Sequence, residues 1–182
     1  MTNNDYLMDI NRYSKFIDKL IINRDGFVFS NDSVEHAAVA FEKLIGQSKY
    51  EIRLYTSKLC DSFFMKGSVY SAFKKASDNN IKLSILVQAS ERECKDNKYN
   101  DISKKEYEEI FKDNFTIKYD INLETEEDGL LNNFLLIDSS GIRYEQEGTI
   151  EDCNNIDNVK AKCSIGADGA VKYFSDIFDE KR

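Results

Sequence analysis

The chain has 182 residues, 41% of them apolar and 12% aromatic, enough to bury one full core and too apolar for a disordered segment. A formal net charge of −8 argues against a general electrostatic grip on nucleic acid, which needs a surplus of Lys and Arg on one face. No apolar run approaches the ~20 residues that cross a bilayer, and the start MTNNDYLMDI lacks the basic and apolar regions of a secretory signal, so a cytoplasmic protein is expected.

Residues 4–22 place Leu7, Ile10, Tyr13, Ile17, Leu20 and Ile21 at three- and four-residue intervals, which predicts a helix with one apolar face. A turn and a short strand over 27–29 follow. The stretch NDSVEHAAVAFEKLIG predicts the clearest helix: Asp32 as N-cap, Glu35 completing a capping box, Val34, Ala37, Ala38, Phe41, Leu44 and Ile45 as the stripe, Gly46 as the stop. His36, the only histidine, points away from that stripe and is expected at the surface. YEIRLYTS reads as a strand, KLCDSFFMKG as an irregular segment, and SVYSAFKKASDNN as a helix with Val69, Phe73 and Ala76 inward. IKLSILVQ is a strand whose apolar run suits burial on both faces.

SERECKDNKYND reads as a polar surface loop, SKKEYEEIFKDN as a helix, FTIKYDI as a strand and NLETEEDG as a solvated acidic turn. NNFLLIDSSGIRY predicts a hairpin with strands over 133–138 and 141–146. TIEDCNNIDN is a loop, VKAKCSIG a strand, and ADGAVKYFSDIFDEK a closing helix with Val171, Phe174, Ile177 and Phe178 inward. The order predicts an α/β domain, a mixed β-sheet with helices on both faces, over 27–182, preceded by a helical extension over 1–26. The four cysteines, Cys60, Cys94, Cys153 and Cys163, form no C-x-x-C pair; with a single histidine they suggest neither a metal site nor a cofactor, and free thiols are expected, Cys163 in the core.

This order, and three of these stretches, resemble one repeat of the phospholipase D-like superfamily over about residues 27–180. The segment from EIRLYTS to LSILVQ is similar to its first βαβ unit, NNFLLIDSSGIRY to its signature hairpin, and VKAKCSIGADGAVKYFSDIFDE to its last strand and helix. The family motif is H-x-K-x-x-x-x-D. With its aspartate on Asp138, the histidine position falls on Leu131 and the lysine position on Asn133. In that family the histidine attacks phosphorus and the lysine neutralises the phosphoryl oxygens. Leucine and asparagine do neither, so the resemblance implies a degenerate repeat that is not an enzyme. Asn133, Asp138, Thr56 and Lys58 are the candidates for a vestigial site; each also has a structural reading, Asp138 as a turn former above all. Asn133 and residues 56–58 are placed at the C-terminal edge of the sheet, where open α/β sheets bind ligands.

Two motifs build one site in that family, from two repeats or two chains. A single repeat therefore implies a homodimer or a partner protein, meeting where the hairpin strand 134–137 would otherwise expose apolar surface; the extension over 1–26 is expected to pack on a neighbouring chain. The leading expectation is a non-catalytic interaction module of the kind found as accessory subunits of bacterial multi-protein systems, antiviral ones among them. Two alternatives stand beside it. Acidic runs such as LETEED and IEDCNNID suit an inhibitor or immunity-type protein that caps a basic enzyme, although such runs are commonly solvated surface. Lys74, Lys75, Lys104 and Lys105 suggest a local basic patch for nucleic acid, with Phe73 and Tyr107 beside them read as packing residues.

Overall fold

Strands that are apolar on both faces must sit in the middle of a covered sheet, and this decides the architecture. The computed structural model of the chain describes residues 3–96, 101–125, 129–145 and 160–182. In chain order the elements are α1 (Asn3–Asn23), β1 (Val28–Asn31), α2 (Val34–Ile45), β2 (Glu51–Thr56), α3 (Asp61–Phe64), α4 (Gly67–Asp78), β3 (Lys82–Val87), α5 (Glu91–Asp96), α6 (Asp101–Phe111), β4 (Phe115–Lys118), β5 (Glu124–Thr125), β6 (Gly129–Leu130), β7 (Phe134–Ile137), β8 (Gly141–Glu145), β9 (Ala161–Ile165) and α7 (Asp168–Asp179). A 3-10 turn, Lys112–Asn114, links α6 to β4.

The main sheet is mixed and has the order β1-β9-β8-β7-β2-β3-β4. β2, β3 and β4 are parallel, joined by helical crossovers, and the other neighbours are antiparallel. Ile52, Leu54, Ile85, Val87, Leu135, Ile137 and Cys163 face one core, closed by α1, α2, α4 and α6. Tyr55, Leu86, Phe134, Leu136 and Ile142 face a second core, closed by Val171 and Phe178 of α7 with Leu123 and Leu131. The mixed sheet with helices on both faces is the arrangement expected from the sequence.

Several expectations are corrected. The hairpin does not lie at an open edge: β7 pairs with β2 on one side and β8 on the other, and all four of its residues are buried. Phe134 meets Phe174 and Phe178 of α7 at ring-centroid distances of 5.0 and 6.2 Å. The apolar surface that argued for a partner there is covered within the chain. Part of the apolar face of α1 is used within the chain: Ile17 and Leu20 join the core of the helical layer, and the Lys43 ammonium of α2 lies 2.6 Å from the Asp18 carboxylate. The side chain of Leu7 lies outside the described residues. The linker after α1 is knitted into the same body, since Gly26 N–H donates to Ile165 O and any Cβ on Gly166 would collide with Arg24 O. The helix therefore packs with the α/β layer rather than beside it.

Ser33, not Asp32, caps α2, its hydroxyl accepting from His36 N–H at 3.1 Å. KLCDSFFMKG contains the short helix α3, because Phe63 and Phe64 turn inward against Phe41. The polar stretch after β3 begins with helix α5, closed by a reciprocal Ser90–Glu93 capping box that the S-x-x-E spacing already encodes. NLETEEDG contributes to a small antiparallel ribbon of β5 and β6, and the loop read over TIEDCNNIDN lies outside the described residues. Four free thiols were expected; Cys94 and Cys163 are free and buried, but Cys60 is disulfide-bonded.

Candidate functional site

The carboxyl ends of β2 and β3, the start of β7 and the end of β8 meet at one rim of the sheet. Asn133 stands there, just before β7, and is buried. Its Oδ1 accepts from Ser57 N–H at 2.6 Å, and its Nδ2 donates to Glu145 Oε2 at 2.6 Å. The other carboxylate oxygen of Glu145 accepts from Arg143 Nη1 at 2.8 Å. Arg143 Nε donates to Asn31 Oδ1 at 3.1 Å, and the Cys163 thiol approaches that same oxygen at 3.7 Å. One polar chain thus runs from the end of β2 to the end of β1 on the α2 side of the sheet.

Burial makes this chain costly unless it is satisfied internally. Arg143 is 1% exposed and Glu145 6%, so their charges cancel inside the protein. The guanidinium also lies 5.1 Å over the Phe41 ring, while its Nη2 has no hydrogen-bond partner among the described residues. Burial pushes the Cys163 thiol up to about 12, with the nearby Arg143 charge opposing and Glu145 adding to the rise. Burial likewise raises the Tyr13 phenol, which donates to Ser30 O at 3.1 Å. Neither group is ionised near neutral pH, so neither is an activated nucleophile or a base.

Of the residues singled out in the sequence, Thr56, Lys58 and Asn133 share this rim and Asp138 does not. Thr56 donates through Oγ1 to Lys58 O at 2.9 Å, closing the turn after β2, and Asn133 is tied to the intervening Ser57. Lys58 is half-buried near Glu93, whose carboxyl is held low first by the Ser90 N–H and hydroxyl, with the Lys58 charge adding to that. Asp138 lies at the opposite end of the hairpin, five residues from Asn133, which is roughly 17 Å along an extended strand. Its carboxylate accepts from three backbone N–H groups: Lys49 at 2.8 Å, Tyr50 at 3.0 Å and Glu51 at 2.9 Å. Asp138 thus clamps the entry to β2 while holding a left-handed backbone with φ 49°. Leu131 is buried in the second core.

His36 is not a surface residue. Because α1 lies along α2, its imidazole is only 14% exposed, 4.3 Å from the Tyr13 ring, with Asp32 at 3.1 Å and Asp9 at 3.2 Å. Of the four lysines, Lys104 is paired, 2.9 Å from Glu91 and 3.8 Å from Glu108, and Phe73 and Tyr107 are core residues, as read from the sequence. Sequence reasoning missed Asn31, Arg143 and Glu145. Their signal was the opposite charges of GIRYE two residues apart on one strand face, which alternation reads as a solvent face. No group of three or more metal-ligating side chains is found among the described residues.

No family model matches the chain, and no curated protein matches it in sequence. Solved structures do match in fold. Nuc from Salmonella typhimurium, a phospholipase D family member, superposes with a TM-score of 0.59 at 13% identity, covering 86% of this chain and 93% of that one. NucT from Helicobacter pylori gives 0.59 at 12% identity, covering 86% and 95%. The archaeal chromatin protein TrmBL2, described by a novel mode of DNA binding, gives 0.51 at 14% identity over 98% of this chain; the chain spans 62% of TrmBL2's length. At such identities the likeness shows the fold: a phospholipase D-like fold, as the resemblance implied.

Proposed function

We propose that this chain is a non-catalytic interaction module built on a degenerate phospholipase D-like fold, acting as an accessory subunit of a bacterial multi-protein system such as an antiviral one, by pairing with itself or with a partner protein. One observation carries the reading. Asn133, at the motif's lysine position, spends its amide on Ser57 and Glu145 inside the protein. It brings no charge to a phosphoryl group, and the nucleophile position is the buried, unreactive Leu131. A charge-neutral chain from Asn31 to Ser57 supports a rim that is structural rather than reactive. The test is turnover of bis-p-nitrophenyl phosphate, single-stranded DNA and duplex DNA by the purified chain. No turnover above a mock preparation is expected; turnover that co-purifies with the folded chain would overturn the reading. Affinity purification from the native host then identifies co-purifying chains.

A second reading, a part of a nucleic-acid-binding protein, is favoured by the match to TrmBL2, which takes in nearly the whole chain. The net charge of −8 and the paired Lys104 oppose direct binding by this chain. Mobility-shift assays in low salt decide between the two: a salt-sensitive shift supports the second reading.

A further inference from the structure

We propose that two copies of this chain associate through the groove between α1 and α4, each copy seating its Ile22 in the groove of the other. The proposal rests on the reading of the chain as an interaction module and gives that module a partner and a surface. The groove has a volume of about 800 Å3 and lies over the C-terminal half of α2. α4 forms one wall over its whole 12-residue length; at the helical rise that is about 18 Å. Ser68, Ser71 and Ala72 keep this wall low, so another chain can approach closely. The opposite wall is the end of α1, where Ile22 is 79% exposed, more than any other large apolar side chain among the described residues.

A lone exposed isoleucine on a surface needs no explanation. Here it stands on the rim of a groove walled by small residues, which suits it to self-association. A two-fold axis brings a patch against itself, so the patch must be its own complement. Glu42 and Lys75 line the same groove; both are exposed, and neither forms an ion pair among the described residues. Across a two-fold axis each Glu42 can face Lys75 of the second copy, twice over. The remaining charges of the groove, Asp18 and Lys43, are already paired at 2.6 Å. The groove is therefore neutral on a chain of net charge −8, and two copies escape at this face the repulsion they meet elsewhere. With one apolar anchor and one exposed ion pair per copy, the dimer is expected to be weak, of the micromolar class.

Sedimentation velocity of the full chain across the micromolar range tests this. Concentration-dependent dimerisation is expected, with Ile22→Asp weakening it by about tenfold or more. Glu42→Lys and Lys75→Glu should each weaken it by about fivefold, as the loss of two exposed ion pairs does, and together in one chain they should restore wild-type association. All three residues are exposed, so the variants keep the fold. A wild-type chain that stays monomeric overturns the proposal and leaves the groove to another protein. A dimer indifferent to Ile22→Asp, with no restoration in the double charge reversal, also overturns it and moves the interface elsewhere, while the module reading stands. Phosphodiesterase turnover strikes the module reading and leaves the dimer untouched, so the two failures are distinct.

Discussion

Removing the Asp138 carboxylate should destabilise the fold without any ligand being present. Three backbone N–H groups at 2.8 to 3.0 Å converge on it, two on Oδ1 and one on Oδ2. A hydrogen bond to a charged acceptor contributes about 1.5–3 kcal/mol when buried. The residue is partly exposed, so water can replace part of each bond, and about 3 kcal/mol for the set is a fair magnitude. Alanine adds about 1 kcal/mol by placing an unsuited residue at φ 49°. An asparagine side chain would keep the acceptor for Tyr50 and Glu51 and tolerate the left-handed backbone; Asp138→Asn should therefore cost only about 1 kcal/mol, and Asp138→Gly should fall between the two. Urea titration followed by circular dichroism reads these differences, and the loss of about 4 kcal/mol in Asp138→Ala corresponds to roughly 8–16 °C in Tm for a chain of this size. Asp138→Ala within about 0.5 kcal/mol of wild type, or indistinguishable from Asp138→Asn, would refute the clamp and reopen a ligand-binding role.

Glu145→Ala leaves the Arg143 charge buried without its partner and should cost about 3–5 kcal/mol, whereas replacing both with Arg143→Met and Glu145→Leu should cost much less; equal losses in the two variants would contradict an internally compensated pair. Because the folded state holds the Cys163 proton to about 12, against about 8.5 for an unfolded thiol, its contribution to stability is complete below the unfolded value and is lost as pH rises toward 12. Urea midpoints should accordingly fall above pH ~9, and by less in Cys163→Ala; native protein at neutral pH should leave Cys163 unlabelled by iodoacetamide. Deleting residues 1–24 uncovers the core faces that Ile17 and Leu20 close, so it should lower the urea midpoint; a truncated chain of unchanged stability would show that α1 is dispensable to the fold.

Much of the fold was legible because periodicity reports which face of an element is apolar. The stripes of α2 and α7, the continuous apolar run of β3 and the turn at Ser139–Gly141 each follow from neighbours within a few residues, and their order was enough to suggest the sheet. That Leu131 and Asn133 stand where the resemblance puts the motif's His and Lys is likewise read from the sequence alone. What polar side chains do was not legible, because their partners are far away along the chain. Asp138 reads as a turn former, yet its three donors lie 87 to 89 residues before it. Arg143 and Glu145 read as a solvent face until β1, β7 and α2 close over them, and His36 reads as surface until α1 lies along α2. A repeat of apolar residues fixes where an element turns its back to water, but only packing decides which buried donor meets which acceptor, because an unsatisfied polar group is penalised only once the tertiary structure has removed its water.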